Sequence, residues 1–239
     1  MIKIDNVSKF FSTKKALDEV NFSLDVGEVV ALIGENGAGI STLMRIMTGY
    51  LPATSGNVTI LGYNVESNRL QALSHVGYVP EISALYGDML VYNFLEWISD
   101  IWQIKEKKKA IIDSAKQMKI IDVLDERIEN LSKGYKKRVE IASAILHKPR
   151  FLILDEPTDG LDPNQKHDIR IFIKEYAKNK NTVLVSTHVL EDADIADRVL
   201  MLSHGKLIKD AKIKEFKKVS KKNNLSEAFR ILSLGDKGE

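Results

Sequence analysis

Nine consecutive residues, Gly34-Glu35-Asn36-Gly37-Ala38-Gly39-Ile40-Ser41-Thr42, place three glycines ahead of two hydroxyls. Glycine tolerates the backbone angles that let successive N–H groups curl around an anion, phosphate above all. A helix starting at the hydroxyls adds its N-terminal dipole to that grip, and Ser41 offers an oxygen to Mg²⁺. A second stretch, Phe151-Leu152-Ile153-Leu154-Asp155-Glu156, runs four apolar residues into two carboxylates. A buried strand ending this way sets both acids at the C-terminal edge of a sheet, where α/β proteins take their ligands. Asp155 would meet Mg²⁺, directly or through water, and Glu156 would polarise an attacking water as general base. Taken alone, the two acids read equally well as a helix cap. The phosphate-loop pattern has lysine before the hydroxyl pair. This chain has Ile40 there.

These groups need elements to position them. Val29 to Ile33 is a continuous apolar run, as expected of a strand covered on both faces, and apolar residues at helical spacing follow from Ser41 to Thr48. Upstream, Ile2, Ile4 and Val7, then Val20, Phe22, Leu24 and Val26, fall mainly at period two, as in half-buried strands. From about 82 to 147 the pattern turns helical, with Leu95, Ile98 and Trp102, then Ile111, Ile112, Ala115 and Met118. Strand signals return at Phe151 and at Thr182 to Ser186, and Asp162-Pro163 between them is an N-cap followed by proline at the first helical position. Alternating strands and helices with a helical insert predict an α/β fold on a parallel sheet. Leu131-Ser132-Lys133-Gly134-Tyr135 precedes another helical segment; a serine and a glycine there offer a hydroxyl and free N–H groups to an anion, although alone they make an ordinary capped helix.

Composition narrows the classes. The 35 lysines and arginines nearly balance 33 acids, so no global basic field for nucleic acid is indicated. Absence of cysteine excludes disulfides and thiolate metal sites. No apolar run approaches the roughly 18–20 residues that span a bilayer, and the N-terminus lacks the apolar core of a signal peptide. A soluble, intracellular chain is expected, so that any membrane span belongs to another chain. Residues 206–222 are rich in lysine, which predicts a solvated tail or, alternatively, attraction to an anionic membrane, about 1 kcal/mol per lysine. A short helix is expected from Leu225.

Taken together, these motifs resemble the nucleotide-binding domains of ABC transporters over nearly the whole chain. Residues 131–135 match the family signature in the form LSKGY. Asp155-Glu156-Pro157-Thr158, then Gly160-Leu161-Asp162-Pro163, look like the Walker B segment and D-loop, and Thr187-His188 is similar to the switch histidine. The resemblance implies a P-loop NTPase fold: a RecA-like parallel core, an N-terminal antiparallel β subdomain and an inserted helical subdomain, with an ATP-binding domain over 1–210 and a basic extension over 211–239. It implies ATP and Mg²⁺, and a head-to-tail dimer in which residues 34–42 of one subunit face Ser132, Lys133, Gly134 and Tyr135 of the other. His188 would contact the γ-phosphate, Asp162 would link the two sites, and Phe11 would stack on adenine, unless it or Phe10 packs in the core. Glu81 stands where the family has its Q-loop glutamine and joins Ser41 and Asp155 as an expected Mg²⁺ ligand. That glutamate and LSKGY resemble the exporter branch with type-2 membrane domains. A membrane-spanning permease, a second ATP-binding subunit and a place at the cytoplasmic face of the membrane follow from this, with no nucleic acid. Leu85, Tyr86, Met89, Leu90, Tyr92 and Phe94 either line the groove for a coupling helix or fill the interior of the insert.

Ile40 bears on activity. Isoleucine has no donor, and losing one charge-assisted hydrogen bond costs on the order of 1.5–3 kcal/mol, about ten- to a hundredfold in affinity. Removing a donor aimed at transition-state charge costs roughly 10²–10³ in rate. The chain is therefore a natural subunit paired with a competent partner, an altered copy of an active protein, or a site in which Mg²⁺ and neighbouring lysines compensate.

Overall fold

A computed structural model of the chain describes residues 1–82, 85–220 and 224–235. The chain opens with β1 (Ile2–Phe11) and β2 (Lys14–Leu24), then β3 (Val29–Gly34), α1 (Ile40–Met47), β4 (Ser55–Ile60), β5 (Tyr63–Asn64), α2 (Arg69–Leu73) and β6 (Val76–Val79). Helices α3 (Val91–Ile101), α4 (Lys107–Gln117) and α5 (Lys133–Ile145) come next, before β7 (Phe151–Asp155), α6 (Pro163–Lys178) and β8 (Thr182–Ser186). Last are α7 (Leu190–Ala193), β9 (Arg198–Ser203), β10 (Lys206–Lys212), α8 (Ile213–Lys217) and α9 (Leu225–Gly235).

Two sheets form. One runs β2-β1-β4-β5, with every pair antiparallel. The other runs β10-β9-β3-β8-β7-β6; its five strands from β9 to β6 are parallel, and β10 pairs antiparallel at the edge. This is the P-loop α/β arrangement that the motifs imply.

The continuous apolar strands make sense from the two cores they serve. Because side chains alternate across a strand, Val29, Ala31 and Ile33 of β3 face the core shared with α3–α6, while Val30 and Leu32 face the core under the antiparallel sheet and α1. Likewise, Leu152 and Leu154 of β7 go one way, Phe151 and Ile153 the other. Each fully buried side chain of this size contributes about 1.5–3 kcal/mol by leaving water, so the strands that carry the loop and the acids are among the most firmly held.

Three expectations need correction. Val26 does not continue β2, which ends at Leu24; it is 56% exposed in the turn that follows. The boundary expected at 210 falls inside β10, and the lysine-rich stretch is not a solvated tail. Its lysines obscure apolar residues that pack: Phe216 is fully buried and joins Leu225 and Ala228 in the main core. Lys221 and Lys222 of that stretch lie outside the described residues. Of the six groove candidates, Phe94 is an interior residue at 5% exposure, whereas Tyr86 is half exposed and meets Trp97 edge-on at 5.2 Å.

The sheets are joined at the tip of the β9–β10 hairpin. Gly205 donates its N–H to the Ala38 carbonyl at 2.9 Å and accepts from Asp18 N–H at 2.8 Å. A Cβ there would sit 2.7 Å from the Ala16 carbonyl oxygen, and φ is +81°, so only glycine fits.

Candidate functional site

At the C-terminal edge of β3, β7 and β8 lies a cleft of about 740 Å³. Gly34, half-buried and paired with Leu202 of β9, leads the chain from β3 into the loop, which turns back with Ala38 N–H donating to Glu35 O at 2.9 Å. Gly39 then starts α1 from the left-handed region, φ +105°, and a Cβ there would stand 2.6 Å from the Ala16 carbonyl. Gly37 is glycine for another reason: its φ is +84° and the space beside it is open. No side chain caps α1. The first-turn amides thus face the cleft beside Ser41 and Thr42, which is the geometry that binds a phosphate at a helix N-terminus.

Ile40, the first residue of α1, is half-buried and belongs to the core under the antiparallel sheet, with its Cδ1 close against Gly34. An apolar side chain thus stands where the pattern has an ammonium.

The opposite wall carries the acids. Asp155 ends β7 at 6% exposure and accepts a short hydrogen bond from Ser186 Oγ. Glu156 follows in the left-handed region at φ 46°, an uncommon conformation for a residue with a side chain. Its backbone N–H donates to Ser186 O at 3.3 Å and Ser186 Oγ at 3.2 Å. Oε1 accepts from His188 N–H at 2.9 Å and lies 2.9 Å from His188 Nδ1. Oε2 is buried with no partner. Burial pushes the Glu156 carboxyl above its ordinary range, and the hydrogen bond to Glu156 pushes His188 upward. Glu156 thus brings to the cleft wall a part-buried carboxyl whose protonated form is favoured by burial.

Phe11 closes the far end. It is 46% exposed and lines the cleft, so it does not pack in the core; neither does Phe10, at 43%. Glu81, two residues past β6, lines the same cleft. Among the described residues no three His, Asp or Glu side chains form a metal cage. The wall instead offers the Ser41 hydroxyl and the buried Asp155 carboxylate, and this suits Mg²⁺, which keeps waters and borrows oxygens from substrate phosphates.

Residues 132–135 and Asp162 stand outside this cleft. Ser132 caps α5, its Oγ accepting from Tyr135 N–H at 3.3 Å, and keeps its own O–H to donate elsewhere. Lys133 pairs with Asp159 at 3.3 Å, a Cβ on Gly134 would strike the Gln165 amide, and Tyr135 donates to Asp122 at 3.0 Å. Asp162 caps α6 through Asn164 and Gln165 N–H, at 2.9 and 3.0 Å.

The sequence reading missed several neighbours. Lys14 and Phe229 line the cleft. Lys14 was findable, since it is the cross-strand partner of Phe11; Phe229, on α9, gives no local signal. Asp192, 2% exposed, accepts from Thr158 Oγ1 and from Arg170 Nε at 2.8 Å, tying α7 to α6 and to the turn after Glu156.

Comparison with known proteins is consistent with this geometry. A family sequence model described as ABC transporter matches residues 17–159. An uncharacterized ABC transporter ATP-binding protein, MJ1023 of Methanocaldococcus jannaschii, is 34% identical over 90% of this chain and 78% of its own length. The bacitracin transport ATP-binding protein BcrA of Bacillus licheniformis is 32% identical over 93% and 73%. The probable multidrug ABC transporter ATP-binding protein YbhF of Escherichia coli is 31% identical over 87% of this chain, which spans only 36% of that relative. Among solved structures, an ATP-binding subunit of an ABC transporter superposes with a TM-score of 0.88 at 26% identity, covering 97% of this chain and 99% of the other.

Proposed function

Because the chain belongs to the ABC transporter family, we propose that it is the ATP-binding subunit of an exporter, driving transport through a separate membrane-spanning permease. The observation that carries this reading is the convergence of the uncapped α1 N-terminus, Asp155, Glu156 and His188 on one cleft. ATP would lie with its base against Phe11 and its phosphates over residues 34–42. Mg²⁺, held by Ser41 and Asp155 with Glu81 nearby, supplies charge neutralisation at the phosphates when bound. The Glu156 carboxylate would take a proton from water as the water oxygen bonds to the γ-phosphorus and the bond to the bridging oxygen breaks; His188 would donate to the γ-phosphoryl oxygens. Positioning and electrostatics do most of the work in such a reaction.

The position of Ser132, Lys133, Gly134 and Tyr135 outside their own chain's cleft supports a head-to-tail dimer, in which a second subunit presents them across the nucleotide. A related bacterial ABC transporter cassette, MJ0796, has a dimeric structure, which points the same way. No helix among the described residues is long and apolar enough to cross a membrane, so a peripheral place on the permease, at the cytoplasmic face, fits the reading. The exposed Tyr86–Trp97 pair is an apolar surface suited to a permease helix.

Ile40 favours a second reading, a nucleotide-binding subunit that does not hydrolyse and works beside an active partner. Mg-ATP turnover by this chain and by Ile40→Lys separates the two. Robust turnover in the variant, at least about 10²-fold above the parent, identifies an otherwise intact ATPase. Binding without turnover in both assigns the non-hydrolytic role. Failure of both proteins to bind Mg-ATP refutes the nucleotide site.

A further inference from the structure

The charge on the cleft walls is lopsided. Glu35, Glu81, Asp155 and Glu156 line it, and among the described lining residues one lysine and no arginine faces them. A polyphosphate entering this cleft therefore meets Glu81 and the buried Asp155, while Glu156 is engaged by His188 and Ile40 brings no compensating charge. The lysine is Lys14.

Its placement is specific. Lys14 is the first residue of β2 and the cross-strand partner of Phe11. Ala16, two residues on and at a register shift in the strand pairing, lines the same cleft, and the Ala16 carbonyl stands against Gly39 at the start of α1. Two residues along a strand are about 7 Å apart, a gap that a four-carbon stem with a terminal ammonium is built to cross. Lys14 is exposed and makes no hydrogen bond or ion pair with any described residue. Its neighbours are engaged: Lys9 donates to the Pro52 carbonyl at 2.7 Å and Lys15 pairs with Asp18. Among the described residues, one free ammonium therefore stands between the base end of the cleft and a phosphate loop that lacks its own.

We propose that Lys14 supplies the phosphate counter-charge that Ile40 cannot, binding the nucleotide's phosphate chain from the β1–β2 hairpin instead of from α1. This rests on the nucleotide reading of the cleft. Lysine acts on phosphate as a mobile point charge and needs no fixed bidentate geometry, so an approach from the hairpin serves.

The test is a double-mutant cycle read by calorimetric titration of Mg-ATP, with adenosine as the uncharged control. Lys14→Met in the parent weakens Mg-ATP about tenfold. The same change beside Ile40→Lys costs less than about threefold, because the loop then carries its own charge, and adenosine affinity stays level throughout. Equal losses in both backgrounds, or no loss in either, overturn the proposal. So does a matching loss for adenosine, which would place Lys14 on the base or ribose. If the parent fails to bind Mg-ATP while Ile40→Lys binds it, Lys14 does not compensate and the nucleotide reading survives. If neither binds, that reading falls as well.

Discussion

Replacing Asp192 with alanine should destabilise the chain by about 3 kcal/mol, a large part of the 5–15 kcal/mol that holds a typical domain folded. The figure follows from what the carboxylate touches. Oδ1 accepts from Arg170 Nε and Nη2, Oδ2 from Thr158 Oγ1, and Asp192 and Thr158 are each 2% exposed. Alanine leaves the Thr158 hydroxyl without its acceptor and the guanidinium without its counter-ion. Breaking a buried pair by removing one partner costs about 3–5 kcal/mol; the Arg170 side chain, 26% exposed, recovers some hydration, which sets the lower end. Asp192→Asn keeps an acceptor for Arg170 and turns an amide N–H toward Thr158 Oγ1, which can accept it, and should cost about 1–2 kcal/mol. Urea unfolding with a constant slope measures both. Adding Arg170→Met to Asp192→Ala should restore at least about 1 kcal/mol, since no unpaired charge then remains. A loss below about 1 kcal/mol for Asp192→Ala, or a double variant no better than the single, would refute the claim that this pair locks α7 to α6.

Phe216→Ala should cost about 3–5 kcal/mol in the same assay, a loss that a solvated tail would not produce. Ile40→Lys should act with opposite signs: about 1 kcal/mol less stable without nucleotide, from the lost packing of a half-buried side chain, which is about 2–4 °C in Tm, yet ten- to a hundredfold tighter for Mg-ATP. His147 stacks on Trp102, its Nε2 lies 3.0 Å from the Val76 carbonyl, and its Nδ1 is buried without a partner. Burial pushes its pKa from 6.5 down to about 4. The unfolded chain therefore takes up this proton first, and stability falls between pH 6.5 and about pH 4, by at most about 3 kcal/mol; His147→Gln should flatten that part of the acid limb relative to the parent.

What the sequence discloses and what it hides divide along physical lines. β3 and β7 are legible because a strand buried on both faces must be apolar without interruption, and α6 because Asp162-Pro163 can do little but start a helix. The loop is legible because Gly34, Gly37 and Gly39 each answer a local demand, close approach or positive φ. The C-terminal segment is not. Phe216, Leu225 and Ala228 are scattered among lysines, and only packing shows that they share one core. The Thr158–Arg170–Asp192 network joins residues up to 34 positions apart, and nothing in local spacing announces it. Glu156 is intermediate: its role follows from Asp155 beside it, but its left-handed backbone and its hold on His188 emerge only from the fold.

Gly205 has a consequence for how the cleft measures what enters it. Its carbonyl and its N–H fasten Asp18 of β2 and Ala38 of the loop to one peptide pair, with no side chain between. The Phe11 wall and the phosphate loop therefore form a single caliper whose jaws cannot slide apart unless backbone hydrogen bonds break. On the proposed nucleotide reading, a ligand would be gauged along its length: its aromatic end and first phosphates would occupy a span fixed by main-chain geometry, and only what projects beyond would reach Glu156 and His188. Counting phosphates would then be a matter of reach, with Glu156 and His188 held at the acidic end to respond to the last one.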